Sequence, residues 1–162
     1  MPSDLPAAMR VLEVQALAPD LAGLALAERL VPQAGPGQAL VRIEAAALGF
    51  PDLLMTEGLY QAKPPLPFVP GMEAAGEVIA AGEGSCWKAG DRVIVATLTG
   101  AAMQYGAFAD AALLPLPEAL SYAEGASLRA AYITAWTAIA RLGRAEAGET
   151  LVVHGAAGGV GL

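Results

Sequence analysis

The sequence predicts a mainly β domain with short helices, followed by the opening of an α/β unit. Three observations carry this. As far as about Pro117, short runs of β-forming residues alternate with Gly- and Pro-rich turns. From Ser121 the spacing of apolar residues becomes helical. Finally "ETLVVHGAAGGVGL", Glu149 to Leu162, sets β-formers directly before closely spaced glycines.

Taken in order, Arg10 to Val14 and Ala25 to Val31 read as strands, and "PQAGPGQ" is a turn leading into a strand from Ala39 to Ala47. In "GFPDLLMTEGLY", Pro51 suits the first turn of a short helix and Gly58 can close it. The next segment, "KPPLPFVPGM", lacks ladder donors at Pro64, Pro65, Pro67 and Pro70, so it is extended or looped and can frame a cleft. Strands follow at Ala74 to Ala81 and Arg92 to Ala96, separated by turns, and then at Phe108 to Leu114. Ser121 and Glu124 have capping-box spacing, and the helix they open runs through Tyr132, Trp136 and Ile139 to a stop at Gly143. Thr150 to His154 reads as a buried strand of a second, α/β region.

After that strand, Ala156, Gly158 and Gly161 have the spacing of a GxGxxG turn with alanine in the first place. Small residues there let the backbone approach a phosphate, and a following helix would aim its N–H groups at the charge. So many glycines cost backbone entropy, and phosphate approach explains them better than turn chemistry does.

Composition narrows the function. The net charge is −7 with nine scattered Lys and Arg, which excludes the electrostatic footprint of a nucleic-acid binder. No stretch is long and apolar enough to span a bilayer, and no export signal opens the chain, so a cytoplasmic location is expected. Cys86 is the only cysteine, which leaves no internal disulfide and no multi-cysteine metal site.

Several segments together carry a family resemblance: "FPDLLMTEGLYQAKPPLPFVPGMEAAGEV", "GDRV", "YGAFADAALL", "YITAW" and "GETLVVHGAAGGVGL". In order and spacing, from Met9 onward, the chain resembles the zinc-independent NADPH:quinone oxidoreductase branch of the medium-chain dehydrogenase/reductase superfamily. The resemblance implies a GroES-like, partly open barrel over residues 1–120. Over 121–162 it implies the connecting helix, first strand and glycine loop of a truncated NADPH-binding Rossmann domain. It further implies a small-molecule quinone or enone substrate, no nucleic-acid or membrane partner, and a homodimer of the complete protein.

Zinc-dependent members place a cysteine and a histidine where this chain has Gly49 and Met72, so the resemblance implies no catalytic zinc. Hydride delivery from NADPH to an electron-poor acceptor, a quinone or a carbonyl-conjugated alkene, is the chemistry that remains. By the same resemblance Thr134 lies at the nicotinamide. Ala156, Gly158, Gly159, Val160 and Gly161 hold the cofactor phosphates, and Phe50 and Tyr60 line the substrate pocket. Two departures matter. Gly49 replaces a usual asparagine, and Leu54 stands where some bacterial members have tyrosine, which implies a roomier, less polar pocket.

Other residues read as structural. Asp52 and Glu73 are expected at a helix end or as partners of Arg92, His154 as a packing or turn residue, Tyr132 and Trp136 as core, and Cys86 as a loop thiol. Two alternatives to quinone or enone reduction stay open: an enoyl-thioester reductase of the same superfamily, and a non-enzymatic GroES-like module.

Overall fold

The computed structural model describes residues 5–162. Seven strands and two α-helices follow one another as β1 (Ala8–Val14), β2 (Leu24–Leu30), β3 (Gln38–Ala47), α1 (Phe50–Thr56), β4 (Glu73–Ala81), β5 (Arg92–Ala96), β6 (Tyr105–Ala109), β7 (Leu113–Pro115) and α2 (Tyr122–Trp136). β1 and β2 form an antiparallel hairpin. The other five make one antiparallel sheet in the order β6-β3-β4-β5-β7. Isolated bridges from Val11 to Met103 and from Val14 to Phe68 tie the hairpin to the loops of this sheet. The mainly β expectation therefore holds, and the proline-rich segment is a loop that meets β1 at the Val14 and Phe68 bridge.

The core lies between hairpin and sheet. Ala39, Val41, Ala74, Val78, Val93 and Val95 of the sheet pack together, Met9 and Val11 of β1 pack on Val69, with Met103 touching both clusters, and Val14 packs with Met55 and Phe68. Alternation along each strand turns the intervening residues outward. On that outer face Ala75 and Ile94 meet Leu116 and Ala126, so α2 lies across the sheet.

Turn chemistry behaves as the sequence implies. Gly37, Gly58 and Gly90 all have positive φ at the three expected turns. Ser121 caps α2, accepting the Glu124 N–H at 3.2 Å while Glu124 accepts the Ser121 N–H at 2.7 Å. The helix then widens into a π-helical segment, Thr137–Leu142, and ends at Gly143.

Three expectations fail. The single strand expected from Phe108 to Leu114 is two strands, because a 3-10 turn at Asp110–Ala112 redirects the chain from one edge of the sheet to the other. The strand expected at Thr150 to His154 does not form. A strand needs a ladder partner, and the described residues offer none beside it; Val152 is 71% exposed. Tyr132 and Trp136 are not core, and Trp136 is 62% exposed. α2 buries Gly125 and Ala126 near its N-terminus, and its half-buried positions continue through Leu128, Ala131 and Ala135, which leaves both aromatics off the packed stripe.

Candidate functional site

The site is organised by Asp52, in the first turn of α1. One carboxylate oxygen accepts the Gly49 N–H at 2.8 Å and so closes the helix N-terminus. The other reaches across to accept the Gly71 N–H at 2.9 Å, which ties the end of the proline-rich segment to α1. Gly71 is obligatory there: its φ is +99°, and a Cβ would lie 2.7 Å from the Ala102 nitrogen. Asp52 thus behaves as a helix-end residue.

This bond brackets positions 49 and 72. Gly49 brings no side chain, and a Cβ added there would make only ordinary contact, at 3.4 Å with Pro51 and 3.8 Å with Asp52. Met72 packs with Val14, Met55 and Phe68. Beside Gly49 lies a cavity of about 420 Å³, walled by Leu12, Leu24, Leu48, Phe50, Leu53 and Pro70. Its lining is almost wholly apolar, Asp52 and Thr56 being the polar side chains in it. Phe50 belongs to this cavity. Tyr60 does not: it packs half-buried against the Val14, Met55 and Phe68 cluster.

Glu73 opens β4 and is only 6% exposed. Its Oε1 accepts the Ala130 N–H of α2 at 2.6 Å. Burial pushes its carboxyl above the usual carboxylate range and the nearby Asp52 adds to this, while the Ala130 N–H and Arg129 oppose it. The expected pairing of Asp52 or Glu73 with Arg92 is absent among the described residues. Arg92 instead donates to the carbonyls of Pro117, Glu118 and Leu120 and stacks over Tyr122, anchoring the segment that leads into α2.

Thr134 sits exposed on α2, one turn beyond Ala130. The glycine segment folds as successive tight turns, with the Gly158 N–H bonded to the Gly155 carbonyl and the Gly161 N–H to that of Gly158, both at 2.9 Å. A Cβ on Gly161 would come within 2.4 Å of the Gly155 oxygen, so glycine is required there, whereas Gly159 faces open space. The N–H groups of Ala156, Ala157, Gly159 and Val160 donate to no acceptor among the described residues. Small residues with free, exposed N–H donors fit a phosphate. Thr134, the glycine turns and the Phe50 cavity are three separate places among the described residues. His154 lies in an exposed turn, not at a strand end. Cys86 is exposed on a loop, where desolvation and the neighbouring Asp110 carboxylate hold its thiol above the usual range.

Sequence reasoning missed the structural reach of two residues. The bridge from Asp52 to Gly71 and the bond from Glu73 to Ala130 join segments far apart in the chain. No local spacing signals either.

The profile of the alcohol dehydrogenase GroES-like domain matches residues 35–138. The chain is 45% identical over 132 residues to the synaptic vesicle membrane protein VAT-1 homolog of Rattus norvegicus, an alignment covering 81% of this chain and 33% of that protein. It is 39% identical over 135 residues to the quinone oxidoreductase of Rattus norvegicus, covering 82% of this chain and 41% of the other. The solved quinone oxidoreductase of Thermus thermophilus, described also in complex with NADPH, superposes with a TM-score of 0.80 at 34% identity, over 94% of this chain and 47% of that one. The chain therefore belongs to the alcohol dehydrogenase GroES-like domain family, in the quinone-oxidoreductase branch of the medium-chain dehydrogenase/reductase superfamily. It spans less than half the length of each of these proteins. Among the described residues no helix is long and apolar enough to cross a membrane.

Proposed function

We propose that this chain is the catalytic portion of a zinc-independent reductase that passes hydride from NADPH to a quinone or a carbonyl-conjugated alkene. One observation carries the reading. Asp52 draws together the two loops that bear positions 49 and 72, yet those positions hold glycine and methionine, so the family's framework is present without its zinc-binding side chains. The acceptor must then already be electron-poor.

NADPH, when bound, supplies the hydride and carries the difficult chemistry. The residues of this chain bind, orient and exclude water. The N–H groups of Ala156, Gly159 and Val160 hold phosphate oxygens, and glycine at 158 and 161 lets the backbone approach. The Thr134 hydroxyl positions the nicotinamide carboxamide. Phe50 and the cavity beside Gly49 offer an apolar wall to a flat acceptor, and Tyr60 packs on the neighbouring Val14, Met55 and Phe68 cluster. Residues 1–120 form the catalytic barrel, and 121–162 begin the cofactor-binding region. The working assembly is a cytoplasmic homodimer of the full-length protein.

The test is a steady-state assay of the full-length gene product with NADPH against quinones, enones and enoyl thioesters, with and without chelator. Chelator-resistant oxidation of NADPH by quinones or enones is the expected result. A preference for enoyl thioesters would move the protein to that branch of the superfamily. Absence of NADPH binding would leave a non-enzymatic GroES-like module.

Replacing Thr134 with valine keeps volume and removes one hydroxyl. The expected cost in NADPH binding is about 0.5 to 1.5 kcal/mol. Unchanged cofactor kinetics would reduce Thr134 to an ordinary helix residue.

A further inference from the structure

We propose that Glu73 is a positioning residue: its buried carboxylate holds the turn of α2 from Ala130 to Thr134 against β4. Through that turn it sets the place of the Thr134 hydroxyl, a consequence that rests on the cofactor reading of Thr134 above.

The geometry is built from two contacts on one face of β4. Gly125 lets α2 come close, since a Cβ there would lie 3.2 Å from the Ala75 Cβ and 2.5 Å from Leu116 Cδ1. Five residues along the helix rise about 7.5 Å, and two residues along a strand span about 6.7 Å. Gly125 and Ala130 are thus spaced along α2 much as Ala75 and Glu73 are along β4; five residues also turn the helix by about 140°, so the Glu73 side chain reaches round to the Ala130 N–H and the bond closes at 2.6 Å.

That bond is unusual for its place. An N–H within a helix ordinarily serves the carbonyl four residues back, and no cap is needed at Ala130. A carboxylate buried to supply an extra acceptor raises its own desolvation cost, which Arg129 and the Ala130 N–H offset and Asp52 increases. Stability alone is served as well by an apolar side chain of the same volume. What the apolar side chain cannot do is fix the helix in rotation and height. Thr134 follows Ala130 by four residues, on the same face one turn on.

The test uses the full-length gene product with Glu73→Gln, which keeps an acceptor oxygen, and Glu73→Met, which fills the space without one. Each is made alone and with Thr134→Val. Two quantities are read: amide hydrogen exchange along α2, and the NADPH dissociation constant from nicotinamide fluorescence. Glu73→Met is expected to speed exchange about tenfold over Ala130 to Thr134 while leaving Ala123 to Ser127 protected. It is also expected to weaken NADPH binding about tenfold, and to have no such effect once Thr134 is valine. Glu73→Gln should retain both properties. Exchange that is unchanged, or raised evenly along α2, would overturn the proposal, and so would a loss of NADPH affinity that simply adds to that of Thr134→Val. If Thr134→Val by itself leaves NADPH affinity untouched, the cofactor reading of Thr134 falls, and the hold on the Ala130 turn is then decided by exchange alone.

Discussion

Two carboxylates in this molecule sit within coulombic reach of each other and do different work. Asp52 spends both oxygens on backbone N–H groups, at Gly49 and Gly71, and thereby joins segments 19 residues apart. Asp52→Ala leaves two N–H groups without their charged acceptor, and the expected loss is about 3 kcal/mol, read as a lowered denaturation midpoint. A change under about 0.5 kcal/mol would mean that solvent replaces the carboxylate and the loops hold themselves. Glu73 has the opposite balance, because burial outweighs its single bond and raises its carboxyl in the folded state. The folded protein then binds the proton more tightly than the unfolded chain. Stability is highest below the ordinary carboxylate range and falls as pH rises through the raised value. Glu73→Gln has no charge to bury. Its melting temperature relative to the parent should therefore climb as pH goes from about 4 to about 7, and a flat or falling difference would show that Glu73 is not desolvated.

At the scale of elements, close approach decides where β3, β4 and α2 lie. Gly76 pairs with Ile43 across β3 and β4, beside an irregularity in register, and a Cβ at this position would fall 2.0 Å from the Arg42 carbonyl oxygen. The atom in the way is backbone, so the sheet itself would have to move. Gly76→Ala is expected to cost about 3 kcal/mol. Chemical denaturation measures it, and a neutral result would show that the two strands can slide apart freely. The Ser121 cap and the Arg92 anchor fix where α2 begins. Beyond Leu128 the helix keeps only a thin half-buried stripe, so its far half is the part that most needs the bond from Glu73.

For the whole molecule, Ile133 and Trp136 on α2 are exposed, and so is the segment from Leu151 to Val153. The matched proteins are at least twice as long, and among the described residues the exposed N–H donors of this chain's glycine turns at Ala156, Ala157, Gly159 and Val160 meet no acceptor. The 162-residue chain by itself is accordingly expected to bind NADPH far more weakly than the full-length product. Titration of each with NADPH, following nicotinamide fluorescence, checks this. Micromolar binding by the shorter chain would mean that the glycine turns are a sufficient phosphate site without neighbouring strands.

Local chemistry made much of this protein legible in its sequence. Turn glycines, prolines, the Ser121 and Glu124 pair and alternating apolar residues act over a few positions, so the strands β1 to β5, the short helix α1 and the start of α2 could be placed directly. The glycine spacing likewise marked a tight turn, and Gly161 proves sterically obligatory there. Tertiary structure decided the rest, because those outcomes depend on partners distant in the chain. Among the described residues, Thr150 to His154 have strand propensity but no ladder to join, and Tyr132 and Trp136 have core spacing but no surface opposite them. Asp52 and Glu73 could be marked as structural, yet which backbone N–H each would hold was set only when β4, α1 and α2 came together, since a buried carboxylate takes whatever donor the packing brings within reach.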